Sequence, residues 1–333
     1  MDRLKQFFSD PWKTSTTILA VVAVALGVVA LGPNEQPTGS TTTSTSTPGS
    51  SPTDPGVSDG FRGLLAVKID NAPLARPQVG IGRVPLLVEY MAEGGITRFI
   101  AVVDQSAEGL LGPVRSLRPV DADLFPLLAP TIASTGGQPF VIREIDAGGT
   151  TRVEPDTTPH FMIAERPQPH HYFVDAAGLV AETPGFNPAD PAFPAGSLPG
   201  GTSAPSASVS EWGLEFTFEN DAYTRLQDAE PFQVMEEVDG PTAPLTHDVL
   251  VFLEVGQRSA GYTDGAGSPV FTYDVIGGGG MVALHDGEAT RGTWIRRSHA
   301  EGFQFFDEAG NPIGLPDGRV YVALLPQGVE VEY

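Results

Sequence analysis

The first 59 residues limit what this chain can fold into, because an apolar run is followed there by a stretch almost without large apolar side chains. Residues 14–32 contain no charged side chain, and nineteen helical residues at ~1.5 Å each match a bilayer core of ~30 Å. Residues 33–59 are rich in Thr, Ser and Pro and cannot bury enough surface to offset their ordering entropy. We therefore predict a transmembrane anchor, a disordered linker and a folded part beginning near residue 60.

The charges beside the apolar run predict its orientation. Arg3, Lys5 and Lys13 precede it, and no basic residue follows until Arg62. The positive-inside rule makes residues 1–13 a cytoplasmic tail and places the bulk of the chain outside. A cleaved signal peptide is the alternative, since residues 28–30 resemble a small-residue cleavage site. Either interpretation exports the folded part, and the first predicts a single-pass protein of the cell membrane.

Composition excludes several classes of function. The 333 residues include no cysteine, which rules out disulfides, thiol catalysis, thiolate metal sites and lipid attachment through cysteine. The chain has 41 acidic and 19 basic residues, a formal charge of −22. Such a charge disfavours nucleic acid as a partner.

The folded part divides into two patterns, which together predict an α+β fold class. Residues 60–183 alternate apolar strand-like and helix-like segments, which indicates a mixed α/β domain. Its predicted strands are 64–69, 96–104 and 130–134, its predicted helices are 85–92 and 119–128, and 140–145 fits either. Residues 184–208 form a Pro/Gly-rich connection. Residues 209–333 show period-two alternation and turn signals such as Asp286-Gly287, which predict a small antiparallel β domain with Gly277–Gly280 in a hairpin loop.

An arginine-rich segment stands out from the acidic background. Between residues 76 and 119, five arginines face only four acidic residues. These arginines either pair with buried carboxylates or line a site for an anion.

Glu89 and Glu93 are the first candidates for chemistry in this segment. On the predicted helix 85–92 and its end, residues four apart share a face. Such a pair could perform acid–base catalysis or bind a cation. The alternative is that one or both pair internally with Arg98, Arg115 or Arg118.

Arg115 and Arg118 lie just before the predicted helix that begins at Pro119. Cations near a helix N-terminus are unfavourable by roughly 0.3–1 kcal/mol each, so acids of the first turn or a bound anion must compensate. Guanidinium groups bind carboxylate or phosphate in a planar, multidentate manner. The predicted ligand-binding residues are Asp70, Asn71, Arg76, Arg98, Arg115, Ser116 and Arg118; the alternative is a structural network of ion pairs.

The histidines and the remaining motifs predict neither a metal nor a cofactor. His170-His171, with His160 ten residues earlier, lack the HExxH spacing of zinc proteases. No P-loop, dinucleotide-binding pattern or nucleophile elbow occurs. His170 remains an acid–base candidate beside Glu89 and Glu93.

Several motifs resemble one known family. They are Asp70-Asn71, Arg76-Pro77-Gln78, EYMAEGGITR at 89–98, GPVRSLRP at 112–119, Gly136-Gly137, Pro169-His170 before an aromatic residue, and, in the second half, 216–218, 286–294 and 305–315. In these the chain is similar to the YerB-like family of bacterial exported proteins, whose two-part domain has no assigned function. The resemblance implies an exported location and a two-part architecture but no catalytic residues. Many relatives resemble lipoproteins with a lipidated cysteine, which this chain lacks, and the match around His170 is loose.

These observations support two hypotheses. The first is a membrane-anchored, extracytoplasmic binding module whose 70–119 face recognises an anionic or polar envelope ligand, a glycan or a protein partner. The second is an envelope hydrolase or transferase that acts on glycan or peptide, with Glu89 or Glu93 and His170 as acid–base residues.

Overall fold

The computed structural model describes residues 61, 63–183 and 191–333, all of which belong to one compact unit. The predicted tail, anchor and linker lie outside the described residues. Within the described part of the chain, no helix combines the length and the apolar character needed to cross a bilayer.

Strands dominate the described residues, with three short α-helices. The helices are α1 (Pro119–Leu128), α2 (Pro139–Ala147) and α3 (Ala176–Glu182). The strands of the first half are β1 (Leu65–Asp70), β2 (Gln78–Val79), β3 (Leu86–Glu93), β4 (Ile96–Val103), β5 (Leu110–Leu111), β6 (Thr131–Ala133), β7 (Thr151–Val153), β8 (Phe161–Ile163) and β9 (Tyr172–Asp175). Those of the second half are β10 (Thr202–Ser203), β11 (Ser206–Val209), β12 (Leu214–Glu219), β13 (Ala222–Gln227), β14 (Glu230–Pro231), β15 (Gln233–Met235), β16 (Thr242–Pro244), β17 (Thr246–His247), β18 (Val249–Thr263), β19 (Pro269–Asp274), β20 (Gly277–His285), β21 (Glu288–Arg296), β22 (Gln304–Asp307), β23 (Pro312–Ile313) and β24 (Val320–Pro326).

One large sheet is built from both halves of the chain. On one side of β3 follow β4, β1, β6 and β7. On its other side β24 pairs with β3 in parallel, from Leu86 opposite Val320 to Tyr90 opposite Leu324, and β18 continues the sheet beyond β24. Each face of the sheet carries its own apolar core: Val88 belongs to one and Leu87 to the other. The centre of the sheet is therefore covered on both sides.

The predicted α+β class is wrong, because the fold is β-rich in the first half as well as in the second. The main error is the predicted helix 85–92, which is the central strand β3. Seven of its eight residues are buried, so the period-two signature of a strand is lost. The sequence LLVEYMAE then resembles a helix that starts after a proline.

Other elements were predicted correctly. The strands at β1, β4 and β6 and the helix α1 lie where the sequence places them, and residues 140–145 fall in the helix α2. Asp286 and Gly287 have φ values of 51° and 73° and form the two-residue turn between β20 and β21, as their sequence predicts.

The predicted loop at Gly277–Gly280 is wrong, since these glycines open strand β20. Close packing explains the glycine at position 279, because a Cβ atom there would lie 2.2 Å from the carbonyl oxygen of Glu254. The neighbouring backbone therefore leaves no room for a side chain at this position.

Candidate functional site

Strands β1, β3 and β4 carry charged side chains on both faces, and this divides the arginine-rich segment in two. Along β4, Thr97 and Phe99 point to one face and Arg98 points to the other. In the strand register, Arg98 lies opposite Tyr90 of β3 and Asp70 of β1. We call the first group the Glu89 network and the second the Glu93 network, after the carboxylate at the centre of each.

A β-bulge separates the two glutamates. Glu89 is opposite Phe99 and Met91 is opposite Thr97, but Glu93 is opposite Ile96, so β3 has one extra residue between Met91 and Glu93. An inserted residue reverses the alternation of side chains beyond it. The prediction that Glu89 and Glu93 share a face of a helix is therefore wrong. Among the residues that the structure describes, the two carboxylates have no hydrogen-bond partner in common.

The Glu89 network is closed to solvent. Glu89 is 1% exposed and accepts hydrogen bonds from both terminal nitrogens of Arg225, from the Thr97 hydroxyl, and from the Tyr321 hydroxyl at 2.6 Å. Asn71 Nδ2 adds a contact at 3.3 Å. Burial alone would raise the pKa of Glu89, but the Arg225 charge and these hydrogen bonds outweigh it and hold the pKa below its usual value. These contacts favour a structural role for an ionised Glu89.

Arg76 belongs to this first network. Its Nε donates to Asn71 Oδ1 at 3.1 Å, its Nη2 donates to the Asn71 carbonyl at 3.2 Å, and its guanidinium lies 5.1 Å from the ring centre of Phe232. Burial, and the nearby charge of Arg225, lower the pKa of Arg76. Asn71 and Arg76 are therefore not part of the group formed by Arg98, Arg115 and Arg118.

The Glu93 network joins two arginines to one carboxylate. Glu93 Oε1 accepts from Arg98 and Arg118, and Oε2 accepts from Arg118 Nε. Arg98 also donates to the Ser116 carbonyl at 2.7 Å. Burial and the neighbouring Arg118 lower the pKa of Arg98 to about 10, which still leaves it charged at neutral pH.

The N-terminus of α1 explains how Arg118 is tolerated there. Arg118 is the N-cap residue, and its backbone N–H donates to Asp121 Oδ2 at 2.6 Å. Asp121 in the first turn thus supplies the negative charge that the sequence requires at this helix end. The Arg118 side chain itself donates hydrogen bonds to the Glu93 carboxylate.

Beside the Glu93 network, Asp70 orients a third arginine and a histidine. Asp70 Oδ2 lies 3.0 Å from Arg115 Nε and 2.7 Å from His170 Nδ1. The Arg115 side chain is 23% exposed, whereas those of Arg98 and Arg118 are at most 10% exposed. The backbone N–H of Thr135 donates to the Arg115 carbonyl, and the Thr135 and Ser116 hydroxyls lie 3.3 Å apart. We call Asp70, Arg115, Ser116, Thr135 and His170 the Arg115 face.

The structure brings together five of the seven predicted ligand-binding residues, together with Glu93 and His170. The five are Asp70, Arg98, Arg115, Ser116 and Arg118. Sequence analysis missed Arg225, Tyr321 and Thr135. Arg225 is 136 residues from its partner Glu89, and no local signal in an ordinary strand marks it as a partner.

Charge favours an anion on this side of the sheet. Arg98, Arg115 and Arg118 face Asp70 and Glu93, which gives three cationic side chains against two carboxylates. A local excess of one positive charge contrasts with the −22 of the chain.

Two clefts elsewhere on the described residues are less suited to anions. A cleft of about 410 Å³ is lined by Phe61, Asp104, Phe193, Leu315 and neighbouring residues, with no basic side chain among them. A cleft of about 760 Å³ holds Arg291, but also four acidic residues, namely Glu254, Asp307, Glu308 and Glu330. An anionic group would be repelled by the carboxylates in both.

Comparisons with known proteins agree with the motifs. Residues 53–188 match the N-terminal domain, and residues 204–322 the C-terminal domain, of a family described as protein of unknown function (DUF3048). A 54-residue segment is 44% identical to "Putative lipoprotein YerB" of Bacillus subtilis (strain 168), and this alignment spans 16% of each protein. The crystal structure of YerB from Bacillus subtilis has the same fold, with a TM-score of 0.64 at 19% identity over 82% of this chain and 94% of that one. The predicted resemblance is confirmed, and the chain belongs to the YerB-like family, whose two domains have no known function.

Proposed function

We propose that this chain is an extracytoplasmic protein, held at the cell membrane by residues 14–32, whose Arg115 face binds an anionic group of an envelope ligand or partner. The uncharged run at 14–32 and the positive charges before it support the anchor. The description of the Bacillus subtilis relative as "Putative lipoprotein YerB" also supports a location at the cell envelope.

The single observation that carries the binding proposal is the environment of Arg115. Arg98 and Arg118 already donate hydrogen bonds to Glu93, so these two guanidinium groups are committed. Arg115 Nε lies 3.0 Å from Asp70 Oδ2, and the Arg115 side chain remains partly exposed. Among the described residues, its terminal nitrogens form no hydrogen bond, and a guanidinium edge of this kind suits two oxygens of a carboxylate or phosphate. Ser116, Thr135 and His170 place further polar groups beside it.

Inorganic phosphate is the simplest probe for this site. A ligand that binds only the folded protein raises its stability, by ~2.7 kcal/mol at a hundred times the Kd. We expect phosphate to raise the Tm of the wild-type chain but not that of Arg115→Ala. Arg258→Ala is the matched control, since Arg258 is 64% exposed and pairs with Asp274 at the surface. Equal phosphate responses in all three proteins would rule out the Arg115 face as the anion site.

The Asp70–His170 pair favours acid–base catalysis as a second candidate. Asp70 fixes the His170 ring through Nδ1, which is how a carboxylate prepares a histidine to exchange protons through Nε2. Within the described part of the chain, no serine or threonine hydroxyl is bonded to that nitrogen, so a substrate or water would have to supply the proton. A cell-wall turnover assay with folded His170→Gln protein separates the two: loss of turnover supports the hydrolase or transferase, and unchanged turnover leaves the binding module.

A further inference from the structure

A buried cluster next to the Glu93 network takes no part in the proposed function. Lys68 on β1, Tyr90 on β3 and Asp121 on α1 are each 0% exposed. Lys68 Nζ lies 3.0 Å from Asp121 Oδ1 and also donates to the Tyr90 oxygen. The Tyr90 hydroxyl donates to the same Asp121 Oδ1 at 2.7 Å. Lys68 is also the single lysine of residues 60–333, a segment of 274 residues.

We propose that Lys68 and Asp121 condense to an intramolecular amide bond that joins β1 to α1. The Lys68 ammonium passes one proton through the Tyr90 hydroxyl to Asp121 Oδ1, which leaves a neutral amine beside a carboxylic acid. The nitrogen attacks Cγ of Asp121, the bond from Cγ to Oδ1 breaks, and Oδ1 leaves as water with that proton and one from the nitrogen. Ammonium and carboxylate become an amide and one water molecule, so the step needs no oxidant, reductant or cofactor.

Burial supplies the nucleophile for this step. Desolvation lowers the pKa of Lys68 to about 7 even though Asp121 opposes the shift, and the charges of Arg98 and Arg118 add to the lowering. A large fraction of the amine is therefore neutral near neutral pH. Burial and the Asp121 charge raise the pKa of Tyr90, so the hydroxyl keeps a proton to donate.

The two oxygens of Asp121 have different partners that fit the two roles required of them. Oδ1 faces the amine and the Tyr90 hydroxyl, so the oxygen that must leave is the one already beside a proton donor. Oδ2 accepts the N–H of Arg118 and would remain as the amide carbonyl. The cap of α1 therefore survives the reaction, and the local charge balance is unchanged because one positive and one negative charge disappear together.

Such a bond would act in this chain as a disulfide acts elsewhere. It closes a loop between residues 53 positions apart in a protein without cysteine. A cross-link of that span restricts the unfolded chain and so favours the folded one.

Peptide mapping of the full-length chain tests the bond. We expect denatured, trypsin-digested wild-type protein to contain a branched peptide with Lys68 and Asp121, lighter by one water molecule than its two parts. Trypsin should not cut after Lys68, because an amide nitrogen carries no charge. Lys68→Met should give only linear peptides. Cleavage after Lys68 and only linear peptides from the wild-type protein would overturn the proposal.

The Tyr90 hydroxyl has its own test. Tyr90→Phe keeps the ring and removes the proton relay, and we expect amide formation to slow by roughly 10²-fold, the lower end of the range for acid–base assistance. Tyr273→Phe is the matched control, because Tyr273 packs against Tyr90 at 5.7 Å but bonds to Gln257 and the Met91 carbonyl. An unchanged rate of amide formation in Tyr90→Phe would contradict the relay.

Discussion

The two faces of strands β1, β3 and β4 carry the same kinds of charged residue but differ in how far their arginines are exposed to solvent. On one face, Glu89 has a full set of donors and Arg225 is completely buried. On the other face, the Glu93 network continues to an edge where Arg115 is partly exposed. The comparison shows that a guanidinium becomes available to a ligand where it reaches the surface, as Arg115 does, and not where both terminal nitrogens donate to a buried carboxylate, as in Arg225. The Glu89 network, on the closed face, also needs residues from the second half of the chain. The Glu93 network and the Arg115 face, which form the open face, are built within residues 68–170.

The largest effect on stability is expected from a substitution in the Glu89 network, on the closed face. Arg225→Met leaves the buried Glu89 carboxylate without its cation, and we expect a loss of about 3–5 kcal/mol in the free energy of unfolding. Urea unfolding of the purified protein measures this loss. A loss below about 1 kcal/mol would mean that the Glu89 network is not closed.

A smaller effect on stability is expected from a substitution at the centre of the Glu93 network, on the open face. Glu93→Gln removes the anion shared by Arg98 and Arg118 but leaves an amide that still accepts a hydrogen bond. Because this amide replaces the carboxylate as a neutral acceptor for the two guanidinium groups, we expect a loss of about 2 kcal/mol, within the range for hydrogen bonds to charged groups. The same urea titration measures it, and a loss equal to that of Arg225→Met would erase the difference between the two faces.

Acid should distinguish the two faces as well. The folded pKa of Glu89 is below its usual value, so its contribution to stability is complete above the unfolded pKa of about 4.3 and is lost as pH falls through the folded value. The slope can reach ~1.4 kcal/mol per pH unit for one proton. Unfolding measured from about pH 6 to about pH 2 should therefore show a shallower acid loss in Glu89→Gln than in wild type. Parallel curves would contradict the lowered pKa.

The smallest effect on stability is expected at the exposed end of the open face. Arg115 is partly solvated, so Arg115→Ala should change the free energy of unfolding by less than about 1 kcal/mol. Circular dichroism during thermal unfolding checks this without ligand. Wholesale unfolding would make Arg115 a structural residue like Arg225 and would remove the reason to treat the two faces differently.

Local signals account for the elements that sequence analysis predicted correctly. Pro119 and Asp121 mark the start of α1, and Asp286-Gly287 marks a tight hairpin, because both signals act through the backbone of neighbouring residues. Strand β3 was mistaken for a helix because burial on both faces removed its alternation.

Part of the candidate site was also predictable. Asp70, Arg98, Arg115 and Arg118 stand out by charge and by their positions at element ends. Their separation from Asn71 and Arg76 depends on which face of a strand each occupies, and that assignment requires the strand and its bulge to be known. The role of Arg225 could not be predicted from the sequence, because it arises from a contact with Glu89, 136 residues away in the chain.

The central position of β24 has a consequence for how the protein is made. Residues 320–326 insert between β3 and β18, although β3 is synthesised more than two hundred residues earlier. The sheet therefore cannot close before β24 has been synthesised. A chain of this design completes its core only when β24 is in place, so a premature stop before Val320 would release a chain with no finished sheet.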